Sequence, residues 1–252
     1  MSSDALTAYR AVIEAAIVGQ PRSQQKTIGP SEIGTDCDHC LAAKLAGWDK
    51  TADVAWLPYI GTAMHSELDV VFTMANADRF RWTTEKRVMV GHIAGVEVWG
   101  HTDLFDHDTR TVIDHKLVGK STLDKARRSG PSAVYRTQAH LYGMGWLNAG
   151  QDVDHVAICY LPRNAVSLDD AVLWHEPHNP TIATQALARA GAIATTITQL
   201  EAVSVAARDA YITSLPRADG CFDCRRYHDR PDDRPAPGHT TPAGQFADLL
   251  PA

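Results

Sequence analysis

Two aspartates and a lysine carry the plainest chemical suggestion in this sequence. In Thr111-Val112-Ile113-Asp114-His115-Lys116-Leu117, Asp114 and Lys116 stand two residues apart. On a β-strand both would project from one face, with Ile113, His115 and Leu117 on the other. A carboxylate and an ammonium among apolar neighbours are costly to bury unless their face opens into a site. On the preceding predicted strand Trp99, His101, Asp103 and Phe105 share a face, and the short turn from Asp106 to Arg110 brings Asp103 close to Asp114. Two acidic groups beside a lysine suit a hard divalent cation with a polarised water, the equipment of phosphodiester hydrolysis. Taken alone, the segment reads more simply as a surface Asp–Lys pair in a hairpin.

Other residues add to the group. Gly61-Thr62-Ala63-Met64-His65 puts a histidine in the first turn of a predicted helix, beside its apolar stripe. Such a residue is usually structural, yet it could supply a nitrogen ligand. Gln138 and Tyr142, four apart on a later helix, share one face and could bond a phosphate or a base, or cap a core edge. Between Lys116 and Arg128 stand Lys116, Lys120, Lys125, Arg127 and Arg128 against Asp124 alone, a local excess of +4. Beside a catalytic site that run suits a groove carrying a DNA strand; without one it is a solvated face.

Four of the five cysteines form two identically spaced pairs, Cys37-Asp-His-Cys40 and Cys221-Phe-Asp-Cys224. Two such pairs point to metal binding, because thiolates two residues apart can both turn onto one ion. The 180 residues between the pairs exceed the gap of a local zinc ribbon, so a shared site would join distant parts of the chain. Spacing alone leaves zinc and an iron–sulfur cluster both open. Cys159, inside the apolar run Val156 to Leu161, reads as a buried strand thiol.

The elements that must position these groups follow from periodicity. Leu6, Tyr9, Ile13 and Ile17 mark an amphipathic helix over about residues 4–18. Polar residues from Gln20 to Gly34, with Pro21 and Pro30, make a connector. Met64, Leu68, Val71, Phe72 and Ala75 mark a helix over 61–76, beginning near Gly61. From Glu85 the period falls to two, through Arg87 to Val90, Val96 to Phe105 and Thr111 to Val118, an antiparallel meander of three strands. A helix over 131–148, a strand from Asp154 to Leu161 and one long helix over 181–214 follow, and Pro231, Pro235, Pro237 and Pro242 make the tail an irregular arm. The expected division is an N-terminal helical segment with the first cysteine pair (1–60), a core (61–180), a C-terminal helix with the second pair (181–230) and a Pro-rich tail (231–252).

Composition limits the field. The 252 residues are 44% hydrophobic and 21% charged, ordinary values for a folded chain. A net charge of −6 excludes holding nucleic acid by bulk charge, though not by a local groove. No apolar run reaches the roughly 18–20 residues of a membrane span, and the first residues lack the order of a signal peptide, so a cytoplasmic protein is expected.

In series, Gly61-x-x-x-His65, Gly100-His101-Thr102-Asp103, Ile113-Asp114-His115-Lys116 and Gln138-x-x-x-Tyr142 resemble, in order and spacing, the motifs of RecB-family nucleases of the PD-(D/E)xK superfamily. The flanking cysteines resemble those of its iron–sulfur subgroup, which includes CRISPR-associated adaptation exonucleases and bacteriophage relatives. The resemblance covers roughly residues 31–230. It implies an α/β, restriction-endonuclease-like core with a mixed central sheet and flanking helices, its N- and C-terminal parts joined at the four-cysteine metal site. It implies a metal-dependent DNA exonuclease of recombination, replication or repair, acting on free or single-stranded ends in a bacterial, or phage-infected, cell. A structure-selective endonuclease and a catalytically silent DNA-binding subunit are the alternatives.

Carried over residue by residue, the likeness makes His65, Asp103 and Asp114 ligands of Mg2+ or Mn2+, with the His115 main-chain carbonyl as a fourth. Lys116 orients the attacking water or stabilises phosphorane charge, and Gln138 and Tyr142 shape the site and contact DNA. Lys120, Lys125, Arg127 and Arg128 fall to DNA binding, and Cys37, Cys40, Cys221 and Cys224 to a 4Fe–4S cluster, with Zn2+ as the alternative. The likeness also implies a homo-oligomer, and recombination or replication proteins as partners. In one respect the chain departs from the family: the iron–sulfur arrangement has one cysteine before the core and three after it, whereas here there are two and two.

Overall fold

The alternating stretch folds into the meander that its period predicts. In the computed structural model, which describes residues 2–19, 27–51 and 54–229, β1 (Trp82–Ile93), β2 (Val96–Asp106) and β3 (Thr111–Val118) run antiparallel in sequence order. β4 (His155–Pro162) joins parallel to β3, with Asp114 opposite Ile158 and Lys116 opposite Tyr160, and β5 (Val172–Pro177) closes the sheet antiparallel to β4. The order β1-β2-β3-β4-β5 is a mixed sheet of five strands. A parallel neighbour needs a crossover, and α5 (Lys120–Ser129) and α6 (Ala133–Asn148) supply it.

Helices cover the sheet. α6 buries Ala139, Leu141, Tyr142 and Trp146, and Trp146 stacks on Phe105 at 4.2 Å between ring centroids. α7 (Pro180–Val203) buries Ala183, Leu187, Ala190, Ile193 and Ile197, which share the core with Val88, Val90 and Ile93 of β1. α1 (Ser2–Val18), α2 (Pro30–Ile33), α3 (Asp38–Leu45), α4 (Trp56–Met74) and α8 (Val205–Ser214) complete the helices. This mixed α/β arrangement, with flanking helices and a four-cysteine cluster, is the architecture the sequence leads one to expect. No helix of the described residues is long and apolar enough to cross a membrane.

Several expectations need correction. The helix expected from Gly61 begins at Trp56, because Pro58 sits in its first turn, where a missing N–H costs nothing. The single helix expected over 181–214 is two: Ser204 is extended (φ −169°, ψ 152°) and its hydroxyl accepts from Ala207 N–H, capping α8. The basic run after Lys116, to which periodicity gave no element, is helical from Lys120, with Leu123 and Ala126 buried beneath it. In α1 the expected apolar stripe is largely uncovered: Leu6 and Tyr9 are exposed and Ile17 is buried. α3, which begins at the first cysteine pair, and the six-residue β5 had no distinct signal. The Pro-rich tail and residues 20–26 of the connector lie outside the described residues.

Candidate metal and nucleic-acid site

The ladder between β2 and β3 runs from Asp106↔Thr111 to Leu104↔Ile113 and stops there. Beyond that point Asp103 takes the place of a strand partner: its Oδ2 accepts the His115 N–H at 2.7 Å. His65 Nδ1 of α4 holds the other oxygen at 3.1 Å. The His115 ring turns away and stacks on Phe72 of α4, 5.8 Å between centroids and 13° between planes. Alternation thus separates Asp114 and Lys116, which line a cavity of about 680 Å³, from the His115 ring behind them.

α2, α4, α6 and the first three strands wall that cavity, which gathers His65, Asp103, Asp114, Lys116, Gln138 and Tyr142. Gln138 Nε2 donates to Tyr142 Oη at 3.3 Å, so the two act as one buried polar wall. Gly100 lets that wall close in: a Cβ there would stand 2.8 Å from Tyr142 Cε1 and 2.6 Å from Pro30 Cγ.

Glu85, which spacing did not single out, also lines the cavity, and an oxygen of Glu85, one of Asp103 and a nitrogen of His65 lie within 4.8 Å of one another. The register places it opposite Asp103, between Thr84↔Leu104 and Lys86↔Thr102. Cross-strand partners point to the same face, so the register between β1 and β2, which periodicity does not give, is the signal that would have revealed Glu85. Its backbone is left-handed (φ 45°), a conformation a non-glycine residue holds only under constraint.

The electrostatics are those of a site built around charge. Asp114 is 2% exposed, and burial, opposed by Lys116, pushes its carboxyl up to about 6. Lys116 Nζ stands 2.5 Å from Asp114 Oδ2, an ion pair that leaves Asp114 Oδ1 without a hydrogen-bond partner among the described residues. Lys116 also lies 5.0 Å over the Tyr135 ring. Burial raises the Asp103 carboxyl too, but the His65 hydrogen bond, the charges of His65 and Lys116 and the His115 N–H outweigh it and hold Asp103 below the usual range. The same bond raises His65. A buried carboxylate with one oxygen unpartnered, beside a His/Glu/Asp donor set, fits a hard divalent cation.

The basic residues lie elsewhere. Lys120, Lys125, Arg127 and Arg128 sit on the exposed side of α5, and the cavity wall contains none of them. Lys120 and Arg127 pair with Asp124. Arg225 lies over the Phe222 ring, and Arg226 donates to Thr51 O and Asp223.

The two cysteine pairs converge. Cys37 caps α3 and Cys40 lies in its first turn, while Cys221 and Cys224 come from the turn after α8. Sulfur–sulfur distances are 3.4 Å for Cys37 to Cys224, 3.4 Å for Cys40 to Cys224 and 3.6 Å for Cys40 to Cys221. Cys159, half-buried on β4, stands apart, its thiol pushed up to about 11 by burial.

No family model and no curated protein matches the chain. Among solved structures it is similar to the alkaline exonuclease LHK-Exo of Laribacter hongkongensis, with 14% identity and a TM-score of 0.49 over 75% of this chain and 96% of that one. It is also similar to a phage-related exonuclease from Haemophilus somnus 129PT, with 11% identity and a TM-score of 0.44 over 69% of this chain and 95% of that one. What the site can do follows from its own atoms.

Proposed function

We propose that this protein is a metal-dependent deoxyribonuclease that hydrolyses phosphodiester bonds from DNA ends. The observation that carries the reading is the Asp114 carboxylate, buried and ion-paired with Lys116 through one oxygen, in the cavity that also holds His65, Glu85 and Asp103. Carboxylates buried together at one cavity, with a single lysine to offset them, are costly, and a divalent cation removes the cost. His65, Glu85, Asp103 and Asp114 are the residues that would hold Mg2+ or Mn2+. When bound, the ion polarises the scissile phosphate and lowers the pKa of a coordinated water.

The chain's own groups supply the rest. Asp103, held from two sides by His65 and the His115 N–H, keeps its negative charge and a fixed orientation. Lys116, its ammonium lining the cavity, offers donors to the attacking water or to a phosphate oxygen as charge builds there. The Gln138–Tyr142 wall limits the pose of the nucleotide. Preference for ends comes from the sequence resemblance, and a homo-oligomer or recombination partners belong to the same reading.

The test is incubation of the protein with end-labelled linear and closed circular DNA in Mn2+, Mg2+ or EDTA, alongside Asp114→Ala and Lys116→Ala. Ion-dependent release of mononucleotides or short oligomers from linear DNA only, with at least a hundredfold loss in both variants, is expected. Nicking of circles would make it an endonuclease, and binding without cleavage a silent subunit. Undiminished cleavage in both variants would remove the site assignment.

A further inference from the structure

We infer that the four-cysteine site holds a single tetrahedral zinc ion, and that the iron–sulfur cluster implied by the sequence resemblance does not fit it. Geometry separates the two. An ion bound to four thiolates at about 2.3 Å spaces the sulfurs about 3.8 Å apart. A four-iron cube carries each thiolate on a different iron and directs it outward from a corner, which sets the sulfurs about 6 Å apart. Here the close pairs are 3.4, 3.4 and 3.6 Å apart, and all four sulfurs lie within 4.8 Å of one another. Zinc asks for an adjustment of about 0.3 Å, whereas a cube asks the pairs to part by more than about 2 Å.

The surroundings resist that parting. Several ties cross from one cysteine pair's segment to the other's, among them His39 N–H to Pro216 O at 3.1 Å, Thr51 N–H to Arg226 O at 2.8 Å, and Tyr227 Oη to Cys40 O at 3.4 Å. His39, fully buried between the two cysteines of its pair, is fixed through Nε2 to Asp229 at 2.9 Å and edge-on to Trp48 and Tyr227. Cys37, Leu41, Ala42, Ala43 and Tyr227 are almost completely buried around it. Opening the sulfurs to cube dimensions would break these ties and unpack this layer. A neighbouring cavity of about 190 Å³ offers no room, since Cys40 alone of the four cysteines touches it. Four cysteine sulfurs gathered within 4.8 Å, three of them buried and Cys221 half-buried, fill all four positions of one ion and leave none open, the pattern of a structural zinc site.

The deciding experiment expresses the full chain with iron and zinc both supplied, purifies it anaerobically, and measures metals, acid-labile sulfide and visible absorbance. One zinc per chain, no sulfide and no colour is expected. Exchange with Co2+ should give the intense visible bands of tetrahedral cobalt thiolate, and Cys221→Ser should lose the zinc while Cys159→Ser keeps it. Four irons with four sulfides per chain, a single iron, or metal-free protein would each overturn the assignment. The composition of the wild-type protein decides even where Cys221→Ser fails to fold, and none of these readouts depends on nuclease activity.

Discussion

Single residues here are set by what their neighbours deny them. Glu85 occupies a left-handed backbone position opposite Asp103, where an ordinary strand residue would cost less. Glu85→Gln keeps the shape and removes the charge. It should leave folding stability within about 0.5 kcal/mol and weaken Mn2+ binding at least roughly tenfold by calorimetric titration. Unchanged affinity would take Glu85 out of the ligand set. Asp106 tests the electrostatics away from the site. Burial pushes its carboxyl up, but Arg81, at 2.7 and 2.8 Å, with the Thr109 hydroxyl and the Asp108 N–H, holds it below the usual range. A carboxyl depressed in the folded state adds stability above its unfolded pKa of about 3.9, and that stability is lost as pH falls through the folded value. Asp106→Asn should therefore cost about 1–3 kcal/mol at pH 7 in urea unfolding, and its stability should fall less steeply below about pH 4 than that of the unaltered protein. At this scale the sequence was readable wherever alternation on a correctly bounded strand decided the face, as for Asp103, Asp114 and Lys116. It was silent for Glu85, which alternation alone did not set against Asp103 and which needs the register between β1 and β2, and for the hydrogen bonds that fix Asp103.

At the scale of elements, close approach matters more than propensity. α6 and α2 deliver Tyr142 and Pro30 to the cavity only because β2 carries glycine at the contact. Gly100→Ala places a methyl where two side chains already sit, so it should cost about 1–3 kcal/mol and displace Tyr142, read as a change in near-ultraviolet circular dichroism larger than its loss of helix signal. An unperturbed spectrum with unchanged stability would mean that the wall yields freely. The long periodic elements were legible: β2, β3, α6 and the body of α7 lie where their spacing predicts. The misses share a cause. α5 has a buried face of little more than Leu123 and Ala126 under exposed basic residues, and the six residues of β5 put the apolar Leu173 outward and Glu176 on the covered face, so neither shows a clean hydrophobic period. The break at Ser204 interrupts an unbroken helical pattern and is decided by one hydroxyl cap, a contact that periodicity does not encode.

For the whole molecule, the decisive contact joins the two ends of the sequence. Cys40 and Cys221 are 181 residues apart, and the strands, the crossover helices and α7 all lie within the loop their site closes. Nothing in the intervening sequence requires that closure; identical C-x-x-C spacing was the sole trace of it, and it left the ion undecided. Closing a loop of this length restricts the unfolded chain by an amount worth up to about 5 kcal/mol in the chain-entropy picture. The ion's affinity for the folded arrangement then becomes folding free energy. The two proposed metal sites should consequently separate by what their loss does. Brief EDTA treatment, sufficient to strip Mg2+ or Mn2+ from the cavity, should abolish cleavage and leave the thermal midpoint within a few degrees. Unlocking the thiolates with a mercurial in the presence of a zinc chelator should lower the midpoint by roughly 10 °C or more, since 3–5 kcal/mol moves a chain of this size by about that amount. If zinc release left the midpoint in place, the four cysteines would hold an ion without holding the fold.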